Sequence, residues 1–143
     1  MNEPIFIAPQ DRSWAIIAHL SGLAGYLIPL GGVIAPIILI FMKRDDSPVV
    51  GSIAKQALYL NIFVFVTTLV VGAVCFFLVL TVIGIPLAFV LGALSGIPLT
   101  LVALGLPIIG AVKASSGEYF SYPIVGQRPY LGESHQANPV EDI

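Results

Sequence analysis

Two long apolar stretches dominate the chain. Between Arg12 and Lys43, residues 13–42 carry no Asp, Glu, Lys or Arg, and between Lys55 and Lys113 the same holds for residues 56–112. Roughly 20 apolar residues cross the hydrocarbon core of a bilayer, so runs of this length predict membrane-spanning helices. Stretches such as VFVTTLVVGAVCFFLVL, residues 64–80, do not alternate polar and apolar positions. That excludes a transmembrane barrel, whose strands of about 10 residues must alternate.

The first stretch is interrupted. Residues 14–42 as one straight helix would measure about 43 Å, more than a core of roughly 30 Å. Pro29-Leu30-Gly31-Gly32 supplies a break, because proline disfavours helical geometry at Ile28 and paired glycines relax the backbone. The pattern predicts two half-length helices, 14–28 and 33–42, forming either a Pro-kinked single crossing or a re-entrant hairpin. The second stretch predicts helix three over 53–83 and helix four over 87–114, with Ile83-Gly84-Ile85-Pro86 as the turn. Pro98 and Pro107 are expected to bend helix four. The expected fold is therefore all-α, a polytopic helical membrane protein in which three apolar segments give about four helices. A polar leader (1–12) precedes the helical domain (13–123), and a tail without periodicity (124–143) reads as disordered.

Composition agrees with the pattern. Only 10% of residues are charged and 57% are hydrophobic, whereas a soluble domain needs about a quarter charged to cover its surface. The leader is acidic where a secretory signal is basic, so the first apolar stretch reads as a retained helix. A net charge of -2 leaves no basic face for nucleic acid. In a single-crossing arrangement Lys43, Arg44, Lys55, Lys113 and Arg128 share a side with Arg12 opposite, and in a hairpin all six fall together. Either way the positive-inside rule places loop 43–55 and the tail in the cytoplasm, as expected for a bacterial inner-membrane protein.

Candidate chemistry is sparse. Trp14, Lys55, Lys113, Tyr119 and Tyr122 read as interfacial anchors. His19 is the one ionisable group well inside an apolar run, about 7.5 Å deeper than Trp14; such a residue is either a proton or substrate group or a satisfied structural one. Asn61, Thr67, Thr68, Thr81 and Thr100 either line a polar path or satisfy one another. Gly92 and Gly96 form a GxxxG face for close helix packing, with Ser95 bonding inside the bundle. Ser95 lacks the Gly-x-Ser-Gly setting of an intramembrane protease, and no second intramembrane histidine supports one. Cys75 reads as a small packing residue. His19 and His135 are far apart and have no paired ligands, so neither a metal, a cofactor nor an enzymatic activity is expected.

Three motifs in order, RSWAIIAHLSGLAGYLIPLGGVIAPIILIFMKRDDSPVV, KQALYLN and GAVKASSGEYFSYP, resemble the Tic-twenty-like family of small bacterial membrane proteins of unknown function, related to a chloroplast inner-envelope import translocon subunit. The likeness covers about residues 12–125. It rests on Trp14, Ala15, His19 and Leu20, on Ile28 and Pro29, on Ala35 and Pro36, on Lys55 to Leu58, and on Lys113, Ala114, Gly117, Glu118, Tyr122 and Pro123. Tyr59 and Leu60 depart from it. The resemblance implies a small helical membrane protein without an established activity. Two functional readings follow. One is a structural or assembly subunit that binds a second copy or another membrane protein in the bilayer. The alternative is a pore or transporter component related to protein import.

Overall fold

The computed structural model describes residues 5–28, 30–43, 46–126 and 129. They contain four α-helices: α1 (Arg12–Ser21), α2 (Gly31–Lys43), α3 (Pro48–Val79) and α4 (Gly84–Ser115). No strand occurs among the described residues, only an isolated antiparallel bridge between Phe6 and Glu118.

The first apolar stretch folds as a hairpin. After α1 the chain tightens into a 3-10 turn, Gly22–Tyr26, and reverses around Leu30, which holds the left-handed φ of 65°. Pro29 lies outside the described residues. The expected helix over 14–28 is thus shorter as an α-helix, and α2 starts earlier than the expected 33. Gly31 and Gly32 are buried inside it. Their value is space rather than freedom: a Cβ on Gly31 would lie 2.5 Å from the Ala24 carbonyl, and one on Gly32 2.8 Å from that of Gly22.

Both ends of this hairpin lie together. The Ser47 hydroxyl donates to Asp11 Oδ2 at 2.7 Å, and the Lys43 ammonium sits 4.6 Å from the centre of the Trp14 ring. A single crossing would put these groups on opposite sides of the bilayer, so the re-entrant alternative is the one the chain adopts. At 10 and 13 residues, α1 and α2 are about 15 and 20 Å long, too short to cross. Among the described residues, two helices rather than three segments are long and apolar enough to span a membrane, α3 and α4.

Both long helices begin earlier than expected. Ser47 accepts a hydrogen bond from the Val50 amide, and Pro48 occupies the first helical position. This N-cap followed by proline starts α3 five residues before the expected 53. At the far end, Thr81 Oγ1 donates to the Leu78 carbonyl and accepts from the Gly84 amide, placing the turn at 80–83 instead of 83–86. Pro86 then sits in the first turn of α4, where the missing N–H has no partner to lose. Cys75 Sγ lies 3.6 Å from the Ala88 carbonyl across the hairpin.

At 32 residues each, α3 and α4 are about 48 Å long and exceed the bilayer core. Their polar-end halves pack with the amino-terminal hairpin into a base whose core includes Ile7, Ala15, Ala18, Leu39, Val50, Ile53, Ala54 and Ala114. Ile7 belongs to the leader, and the Ile7 and Tyr119 amides donate to the Gly117 and Ile5 carbonyls. The leader is therefore stitched to the segment that follows α4.

Candidate functional site

The most polar part of the interior lies where this following segment, residues 117–126, crosses the base. Gln56 on α3 is 1% exposed, and a buried amide requires partners. Its Oε1 accepts from the Tyr122 amide at 2.9 Å and its Nε2 donates to the Tyr119 hydroxyl. That hydroxyl is also 2.9 Å from Ser52 Oγ. The Tyr122 hydroxyl reaches His19 Nδ1 at 2.9 Å. Burial pushes the Tyr122 phenol above its ordinary value, so it stays protonated.

His19 is fully buried. It lies against Gly110 of α4, where any Cβ would collide with the imidazole. Its Nε2 is buried without a partner among the described residues. A glycine at position 110 therefore lets α1 and α4 meet around the imidazole, as small interface residues do in membranes.

A second polar residue is enclosed by glycines. Asn61 Nδ2 donates to the Ala57 carbonyl at 2.8 Å. A Cβ on Gly22 would strike its Nδ2, and one on Gly32 would lie 2.5 Å from its Oδ1. The two glycines thereby let the inner end of the amino-terminal hairpin close against this amide on α3.

The remaining residues singled out in the sequence lie apart from these two centres. Trp14 is half-buried beneath Lys43, and Lys55 is exposed. Lys113 pairs with Glu118 at 3.4 Å. Tyr119 and Tyr122, expected among headgroups, instead turn inward, because Gln56 and His19 offer buried partners for both hydroxyls. Gly92 and Gly96 face open space, with nothing within 4 Å of a Cβ on either. The close packing expected at that pair is not made inside the chain. Ser95 donates to the Leu91 carbonyl of its own helix at 2.6 Å. His135 lies outside the described residues. Gly110 and Gly22 carried no signal in the sequence, and Gln56, which stands in the Lys55 to Leu58 motif, was not expected to be buried.

Two long, uncovered apolar helices standing on a polar-stitched base define a small integral membrane protein. The chain belongs to the magnetosome magnetite crystal formation protein family (MamF_MmsF), which it matches over residues 10–128. No curated protein and no solved structure matches it. The family match overturns the Tic-twenty-like assignment, and the import-related expectation loses its support with it. The residues behind that resemblance, interfacial Trp and Lys, turn-forming Pro and packing Gly and Ala, perform tasks that small helical membrane proteins share regardless of family.

Proposed function

We propose that the chain is a non-enzymatic structural subunit of the magnetosome membrane, contributing to magnetite crystal formation by assembling with copies of itself or with other membrane proteins. The observation that supports this reading is the bareness of the crossing pair. The most apolar window of α3 is 0% buried and that of α4 is 6% buried. Gly72, Gly92, Gly96 and Gly105 leave open notches along it, through which another helix can approach closely.

The distribution of carboxylates favours an indirect part in crystal formation. Among the described residues, Asp11, Asp46 and Glu118 all lie at the base, whereas the far turn presents Leu80, Thr81, Val82 and Ile83. With loop 43–55 and the tail 124–143 in the cytoplasm, as the basic residues favour, the opposite surface of the described protein offers no carboxylate to an iron oxide. Insertion follows the bacterial inner-membrane pattern, with α3 and α4 of the helical domain 13–123 crossing the bilayer.

Gly96→Ile and Gly92→Ile test assembly. Each is expected to give a smaller complex by light scattering in mild detergent, at unchanged thermal stability, and altered crystal size in cells. If both variants keep complex size and crystal size, the exposed face merely meets lipid and the reading fails. Orientation is tested with single cysteines at Asp46 and Val82 in a Cys75→Ala background. On vesicles isolated cytoplasmic face outward, an impermeant thiol reagent should modify the first and spare the second. The reverse pattern would place the base carboxylates beside the mineral.

A further inference from the structure

An open cavity of about 370 Å³ lies between the inner end of the amino-terminal hairpin and the middle of the crossing pair, with Phe65, Thr68 and Thr100 exposed along it. Val33, Phe65 and Leu99 supply apolar wall from three helices, and Asn61, Thr68 and Thr100 supply polar groups. A mostly apolar hollow with a few polar side chains, in this size range, is a common form of small-molecule site.

Its depth restricts what can enter. Asn61 and Thr68 follow Lys55 by six and thirteen residues, and Thr100 precedes Lys113 by thirteen. At 1.5 Å per residue the polar groups lie about 9–20 Å beyond the level of the basic residues, in the middle of a hydrocarbon core roughly 30 Å thick. No charged side chain lines the cavity. An ion entering there would be desolvated without a counter-charge.

The two threonine hydroxyls are also not consumed elsewhere. Thr81 and Ser95 satisfy their hydroxyls on carbonyls of their own helices, but Thr68 and Thr100 make no such bond among the described residues. Asn61 is fixed by its bond to Ala57, with Oδ1 on the side of Gly32 and Gly25, both of which border the cavity. Leu30 at the rim keeps a left-handed backbone, a conformation costly for leucine and concentrated at ligand sites.

We propose that this cavity binds a neutral, bilayer-dissolved molecule carrying one hydroxyl or carbonyl group on an apolar body, with that group held at the level of Thr68 and Thr100. An acyl chain alone would fill the apolar wall and leave the two threonine hydroxyls facing hydrocarbon, which is unfavourable.

The test uses the full-length protein in vesicles of one zwitterionic phospholipid. Two photoreactive probes are compared, a medium-chain alcohol and the matched alkane, each carrying a diazirine, with labelled residues mapped by mass spectrometry. The alcohol should label Phe65 and Leu99 about fivefold more than Phe76 and Phe89 on the bare hairpin, the discrimination one ordinary hydrogen bond supplies. The alkane should show no such preference. In a Thr68→Val, Thr100→Val variant with unchanged helicity and thermal stability, the preference of the alcohol should disappear. Even labelling by both probes overturns the proposal, as does equal enrichment of the alkane, which would assign the cavity to acyl chains. A preference that survives in the variant overturns it too.

Discussion

The base and the bare hairpin are built from the same apolar alphabet, yet they solve different problems. In the base, side-chain hydrogen bonds join residues far apart in the chain, from Asp11 to Ser47 and from His19 to Tyr122, 36 and 103 positions away. In the hairpin, Thr81 and Ser95 bond no further than three or four residues back. α3 passes through both regions: seven of its residues from Val50 to Leu60 are buried, and none is buried beyond Leu60. The lesson is that hydropathy locates a helix in the membrane but does not say whether protein or lipid surrounds it. What separates the two environments is the company of partners that only tertiary structure supplies.

The largest expected effect that would sharpen this contrast is at Gln56. Gln56→Leu orphans the buried Tyr122 amide and removes a bond to Tyr119, at a cost of about 2–4 kcal/mol; thermal unfolding in detergent should show a marked drop. Gly110→Ala comes next. Its methyl group would press on an immobile imidazole, costing about 1–3 kcal/mol, measurable in the same assay.

The phenol of Tyr122 gives a pH signature. Because burial raises its folded-state value, the stability tied to the neutral phenol is fully present below about pH 10 and is lost as pH climbs above it. A pH series should therefore fall more steeply for the unaltered protein than for Tyr122→Phe. Equal slopes would mean that the phenol is not buried as described.

Smaller still, Leu30→Gly should raise stability by about 1 kcal/mol by relieving the left-handed backbone. The smallest change belongs to the hairpin. Gly96→Ala meets nothing within 4 Å and should leave monomer stability within about 0.5 kcal/mol. If Gly96→Ala proved as damaging as Gly110→Ala, the division into two regions would fail.

The helical class, the interruption of the first stretch and the presence of two helices long and apolar enough to cross were legible from hydropathy and proline. Helix starts were less so, although Ser47-Pro48 carried a readable cap. The glycines that pack inside the chain were not legible from spacing. Gly92 and Gly96 have the familiar spacing but nothing opposite them, whereas Gly22, Gly32 and Gly110 lack it and face Asn61 or His19. Spacing describes one helix, and close approach depends on two. Tyr119 and Tyr122 posed the same difficulty, since an aromatic beside the last helix looks interfacial until a buried amide and an imidazole on other helices claim its hydroxyl.

The bridge between Phe6 and Glu118, taken with the His19–Tyr122 contact, has a consequence for the order of events during synthesis. The amino-terminal hairpin emerges first, yet its final partners emerge last. At about 5–20 residues per second, the 103 positions separating His19 from Tyr122 correspond to a wait on the order of 5–20 s. Through that interval α1 and α2 are too short to cross and lack the surface that seats them. The crossing pair must enter the bilayer before the hairpin can settle against it, so the earliest-made part of the chain is the last to reach its place.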